Sequence, residues 1–268
     1  MDKFGIIGVG NMGEAILRGM IKGNVLAAEK ICIYDPNASK CAAFRKELGV
    51  TTVKSISDLA AMCDMLLIAV KPDVCGAVIE KNRNDFVEKA IVSIVTGWSG
   101  EKLRKYLSNT TRILRVMPNT PAMVGEGMTV FEQSDTLRED ERVFAEKLFS
   151  AIGRVSSIKP GLLNAVIGVS GSGPAYVYMF IEAMADGGVR AGLPRSKAYE
   201  LAAQTVLGSA KMVLETGQHP GKLKDAVCSP AGTTIDAVAS LEKNGLRNAV
   251  IEAVAACIDK ADQMSKGE

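Results

Sequence analysis

The stretch Lys3-Phe4-Gly5-Ile6-Ile7-Gly8-Val9-Gly10-Asn11-Met12-Gly13-Glu14-Ala15-Ile16 constrains this chain more than any other. It reads as a short apolar strand, a glycine turn and the start of an amphipathic helix. A strand covered on both faces must be apolar throughout, as in parallel sheets. Gly8 allows the tight turn, Gly10 lets a pyrophosphate approach the backbone, and Gly13 lets the helix pack close to the strand. The positive end of that helix then faces the phosphates. An acidic residue, Asp35, ends a second strand-like run, Lys30-Ile31-Cys32-Ile33-Tyr34, about 20 residues on, where a ribose hydroxyl is held in dinucleotide sites.

The chain continues in the same alternation. Ala38 to Leu48 has helical spacing and stops at Gly49. Met65 to Val70, Ala90 to Val95 and Arg112 to Met117 are apolar runs of strand length, two of them ended by Lys71-Pro72 and Pro118. Helical spacing fills the intervals, with Ser99 as a cap. Met128 to Phe131 and Arg154 to Ser157 are weaker strands around a helix near Leu137 to Ala151. This alternation predicts a parallel, doubly wound α/β sheet with its ligand at the carboxyl ends of the strands. Ala69 to Pro72, Thr96-Gly97 and Pro118-Asn119 then share one rim with the glycine turn.

From about Pro160 the strand signal disappears. Leu162 to Val169, Gly173 to Ala191, Pro194 to Thr216, Ile235 to Asn244 and Leu246 to Ser265 read as helices. Tyr176, Met179, Phe180, Ile181 and Met184 make one of them apolar on several faces, which demands burial on more than one side. The expected division is residues 1–160 and 161–268, with the second part packing against another copy of the chain.

Net charge is +2 over 268 residues, with both signs interspersed. No basic block suits a phosphate backbone, so nucleic acid is not expected as a partner. No apolar run reaches about 18 residues, so no membrane span is expected, and the reading is cytoplasmic. Six separated cysteines and one histidine, His219, give no metal-ligand spacing; the cysteines read as small apolar filler and His219 as a turn residue.

Two hydroxyl-glycine clusters precede helices, Ser170-Gly171-Ser172-Gly173-Pro174-Ala175 and Cys228-Ser229-Pro230-Ala231-Gly232-Thr233-Thr234-Ile235. Free N–H groups, hydroxyls and a positive dipole end there suit a small carboxylate. No Ser/His/Asp or Cys/His set suggests itself, and Lys71 reads as a loop-end lysine near cofactor phosphates or in solvent rather than as a general acid, so the reaction is expected to draw little proton transfer from the protein.

These clusters, with Gly8-x-Gly10-Asn11-Met12-Gly13, Ala69-Val70-Lys71-Pro72 and Arg115-Val116-Met117-Pro118-Asn119-Thr120-Pro121, closely resemble the pyrroline-5-carboxylate reductase family over essentially the whole chain. The resemblance implies a Rossmann-type α/β domain followed by an all-α dimerisation domain, and homodimers assembled into larger rings. It implies reduction of 1-pyrroline-5-carboxylate to L-proline with NADPH or NADH, the last step of proline biosynthesis. Thr234 would hydrogen-bond the ring nitrogen, with Ser172, Ser229, Gly232 and Thr233 holding substrate. Gly8, Val9, Gly10, Asn11, Met12, Gly13, Asp35, Ala69, Val70, Lys71, Pro72 and Gly97 would hold the cofactor. Asp35 favours NADH, whereas Asn37, Ser39 and Lys40 suit a 2′-phosphate, and the family commonly uses NADPH. The chain departs from the family at Ala231, Val95-Thr96 and Ile56. A β-hydroxyacid dehydrogenase and a non-catalytic dinucleotide-sensing module are the rival readings.

Overall fold

A computed structural model describes residues 2–266. The strands are β1 (Phe4–Ile7), β2 (Ile31–Tyr34), β3 (Thr51–Thr52), β4 (Met65–Ile68), β5 (Ala90–Ser93), β6 (Arg112–Met117), β7 (Gly127–Glu132) and β8 (Gly153–Ile158). They form one sheet in the order β3-β2-β1-β4-β5-β6-β7-β8. The helices between them are α1 (Asn11–Lys22), α2 (Ala38–Leu48), α3 (Ile56–Met62), α4 (Pro72–Lys81), α5 (Gly100–Tyr106) and α6 (Glu139–Ser150).

Period-two alternation explains why both sheet faces are covered. Phe4, Ile6, Ile33 and Leu67 join α1 and α6 residues such as Ile16 and Phe149 in one buried cluster. Ile7, Cys32, Leu66 and Ile68 join Leu59, Ile79 and Leu103 of α3, α4 and α5 in the other. Gly5 lets β1 sit close to both, since a Cβ there would meet the Leu59 side chain at 3.0 Å and push the tip of Leu66 aside.

Among the described residues every strand pair is parallel except β6 with β7, a departure from the uniform parallel sheet expected. Only a 3-10 turn, Thr120–Val124, joins those two strands. That is too short for the crossover a parallel pair needs. Chain order reverses on either side of β1, whose neighbours are β2 and β4, and the crevice at such a point receives ligands in open α/β sheets.

The remaining helices are α7 (Leu163–Val166), a π-helical turn (Ile167–Gly171), α8 (Gly173–Arg190), α9 (Arg195–Thr216), α10 (Pro220–Val227), α11 (Thr233–Lys243) and α12 (Leu246–Lys266). Helix α10 goes beyond the sequence expectation. Pro220 suits its first position, and the N-capping His219 side chain accepts from Gly221 N–H at 3.0 Å.

The chain forms two compact units, one reaching to Ser172 and taking back the chain from Ala256 onward, the other spanning Gly173–Ala255. This differs from a division at 160/161. Leu163, Ile167 and Ala261 bury themselves with Met117 and Val130, so α7 and the end of α12 belong to the sheet unit. The second unit buries little of itself. Ala185, Ala198 and Ala202 fill the α8–α9 contact, while Met179, Leu207, Met212, Leu214 and Ile251 each stay more than half exposed. An apolar surface of that extent marks an interaction face.

Candidate functional site

The glycine turn behaves as three different positions. Gly8 has φ +91, and a Cβ there would stand 2.7 Å from the Ala69 carbonyl oxygen. A Cβ on Gly13 would overlap the Gly8 carbonyl. Gly10 faces open space, and a Cβ added there would have nothing within 4 Å. The first intrahelical bond of α1 runs from Glu14 N–H to the Gly10 carbonyl, so the N–H groups of Gly10, Asn11, Met12 and Gly13 have no intrahelical partners. The turn thus fits a pyrophosphate: two glycines are filled by the protein's own backbone and the third is left clear.

Val9 is occupied differently. Its N–H donates to Asp35 Oδ2 at 3.0 Å, and Asn37 N–H donates to Asp35 Oδ1 at 2.9 Å. The carboxylate therefore fastens the end of β2 to the glycine turn and keeps acceptor capacity for a ribose hydroxyl. Asn37 caps α2, its side chain accepting from Lys40 N–H at 3.0 Å. Lys40 lies 4.0 Å from Glu14 and over the Phe44 ring, while Ser39 is exposed.

At the carboxyl ends of β1, β4, β5 and β6 lies a cleft of about 330 Å³. Met12, from the start of α1, lines it together with Ala69, Val70 and Pro72 after β4 and Val95 with Thr96 after β5. Asn119, Gly171 and Ser172 line it as well. The expected residues Met12, Ala69, Val70, Pro72 and Ser172 are thus brought together. Lys71 is exposed at the N-cap of α4 and does not line the cleft. Gly97 is buried behind it at φ +74, where a Cβ would touch Met264 at 3.0 Å. Its neighbour Thr96 takes the place at the wall.

Three residues do more here than the sequence assigns to them. Trp98 is 5% exposed, and its indole N–H donates to the Pro72 carbonyl at 3.0 Å, tying one cleft loop to another. As the chain's one tryptophan, next to a rim glycine, it carries a usable signal. Asn119 is more than a rim residue, since its side chain bridges Ser170 and Met128. Cys257 is more than filler, since its thiol donates to Ser172 Oγ at 3.1 Å.

In the second unit, Ser229, Gly232, Thr233 and Thr234 are together on one loop. Gly232 is the N-cap of α11, Thr233 and Thr234 open the helix, and Gly232 N–H donates to the Ser229 carbonyl at 3.1 Å. A Cβ on Gly232 would overlap the Ser229 hydroxyl, so the glycine lets Ser229 lie against the helix start. Ala231 adopts φ 55, a left-handed conformation. Thr234 is half-buried and Thr233 exposed. This loop offers hydroxyls and free helix N–H groups, a cradle for a carboxylate.

Comparison with known proteins matches this architecture. Residues 160–264 fit the family model for pyrroline-5-carboxylate reductase dimerisation, and residues 3–97 that for NADP oxidoreductase, coenzyme F420-dependent. The chain is 44% identical over 265 residues to pyrroline-5-carboxylate reductase of Escherichia coli, covering 98% of each. It is 40% identical to that of Pisum sativum, covering 97% of this chain and 95% of the relative. Among solved structures, the Plasmodium falciparum pyrroline carboxylate reductase with NADP bound is similar at TM-score 0.89 and 34% identity, over 98% of both chains. On full-length identity and a shared fold, the chain belongs to the pyrroline-5-carboxylate reductase family.

Proposed function

We propose that the protein reduces 1-pyrroline-5-carboxylate to L-proline with NADPH or NADH, the last step of proline biosynthesis. The observation that carries this is the cleft beside the glycine turn, with a clear Gly10 and a hydroxyl, Ser172, in its wall. The dinucleotide supplies a hydride. Gly10 to Gly13 would hold its pyrophosphate, Asp35 its ribose, and Ala69 to Pro72 with Thr96 its nicotinamide end. A protonated cyclic imine needs no strong base, so this chain's work is positioning within about 3–3.5 Å and exclusion of water.

The substrate carboxylate fits the loop from Ser229 to Thr233, with the Thr234 hydroxyl accepting from the N–H of the protonated imine. Their chemistry supports this reading: hydroxyls and helix N–H groups bind a carboxylate without adding net charge. The assembly we propose is a homodimer, with dimers joined into larger rings. The exposed apolar faces of α8, α9 and α12 support it. The cytoplasm, where reduced nicotinamide is maintained, suits the reaction.

The test is oxidation of NADPH and NADH with pyrroline-5-carboxylate, beside reduction of NADP+ and NAD+ with 3-hydroxyisobutyrate, the substrate of a β-hydroxyacid dehydrogenase. Imine-dependent turnover is expected, and turnover of the hydroxyacid alone, or cofactor binding without turnover, would overturn the proposal. Molar mass in solution tests the assembly. A stable monomer at micromolar concentration would contradict it.

A further inference from the structure

Asn119 follows Pro118 just past the end of β6 and is 8% exposed. The β6–β7 ladder stops at Met117 opposite Val130, which leaves the Met128 N–H without a strand partner. Asn119 Oδ1 accepts that N–H at 2.8 Å, and its Nδ2 donates to the Ser170 carbonyl at 3.0 Å. Both ends of one buried amide are thereby satisfied.

The second bond lands on an unusual segment. Ile167–Gly171 is a π-helical turn, closed by Ser172 N–H donating to the Ile167 carbonyl at 2.8 Å. Such turns are less stable than α-helix and recur at functional sites. Relaxing to α-helix would advance the register by one residue, turning Ser172 by about 100° around the helix axis. The Asn119 amide, reaching across 51 residues, holds the carbonyl that this relaxation would move. Ser172 Oγ meanwhile accepts from the Cys257 thiol at 3.1 Å, so its own proton remains free to donate into the cleft.

We infer that Asn119 is a positioning residue: it clamps the π-helical turn so that the Ser172 hydroxyl faces the cleft where the substrate is reduced. This rests on the proposed reading of the cleft as the site of imine reduction.

Asn119→Asp is the discriminating variant. Its carboxylate still accepts from Met128 N–H but cannot donate to Ser170. It is combined with Ser172→Ala in a double-mutant cycle. Cofactor affinity is read separately from quenching of Trp98 fluorescence by NADPH. The expected result is a loss of about tenfold or more in kcat/KM for pyrroline-5-carboxylate, with the NADPH Kd changed less than about twofold. In the Ser172→Ala background the further loss should fall below about twofold, because both changes remove one interaction. Additive losses, unchanged kcat/KM, or an NADPH Kd that weakens as much as kcat/KM would overturn the inference. Should Asn119→Asp fail to fold, Asn119→Ser, neutral and too short to make both bonds, takes its place in the same cycle. A wild type inert toward pyrroline-5-carboxylate defeats the functional reading itself, whereas an active wild type with additive losses defeats only the role of Asn119.

Discussion

The Asp35 carboxylate accepts the backbone N–H of Val9 at 3.0 Å across 26 residues, so the residue expected to read the ribose also shapes the glycine turn. Replacing it acts on both. Asp35→Ser removes a negative charge that repels a 2′-phosphate and an acceptor that favours a 2′-hydroxyl. The ratio of kcat/KM for NADPH over NADH should rise about tenfold or more, the scale of one hydrogen bond to a charged group. Because the Val9 bond is lost too, KM should rise for both cofactors. Steady-state kinetics with each cofactor checks both effects.

The glycines at positions 10 and 13 separate binding from folding. Gly10→Ala meets nothing within 4 Å, so its thermal midpoint should stay near wild type while NADPH affinity falls at least about tenfold, as the new methyl enters the pyrophosphate space. Gly13→Ala drives its methyl into the Gly8 carbonyl and should lower stability by about 1–3 kcal/mol, the range for overpacking. Thermal unfolding beside a cofactor titration distinguishes the two.

Thr234 stands in the first turn of α11 and is half-buried. Thr234→Ala should lower kcat/KM for the imine by about 10- to 100-fold, as for loss of one hydrogen bond to a charged group, with little change in stability. Wild-type kinetics in this variant would remove Thr234 from the mechanism.

Ala231 sits at φ 55, in a conformation that suits glycine. An L-residue there costs about 1–2 kcal/mol, against about 0.4–1 kcal/mol for the extra freedom glycine gives the unfolded chain. The first outweighs the second, so Ala231→Gly should stabilise the protein by about 0.5–1 kcal/mol. Denaturant midpoints of the two proteins provide the comparison.

Acid should act through Glu141. Burial alone would raise its pKa, but hydrogen bonds from the Arg112 guanidinium and the Arg138 N–H outweigh it and hold the carboxyl below its ordinary value of 4.5. As pH falls, the unfolded chain therefore takes up the proton first. Stability from this pair is complete above the ordinary value and drains as pH drops through the lowered one. Glu141→Gln should cost about 1.5–3 kcal/mol near neutrality, and the gap to wild type should close as unfolding is measured at progressively lower pH.

Much of the fold is legible in the sequence because its signals are local. Ala38–Leu48 and Arg112–Met117 are bounded where spacing and punctuation place them, by Gly49 in a left-handed conformation and by Pro118. The left-handed backbone at Ala231 is not legible in the same way, since residue type alone does not reveal φ. Helix α10 escapes a sequence reading because Pro220 and Gly221 punctuate turns as readily as helix starts.

By itself, then, the sequence determined the strand-turn-helix at its start, the alternation that builds an α/β sheet, and the switch to helices near Pro160. Each follows from periodicity or turn chemistry within a few residues. Only the tertiary structure decided that Val9 is already occupied by Asp35, that Gly10 alone among the three glycines is left open, and that Gly97 hides behind Met264. It also decided that Asn119 reaches Ser170 and that Cys257 reaches Ser172, 85 residues away. Those relations depend on which groups the packed chain brings within hydrogen-bond distance, and no local preference encodes a contact between residues so far apart.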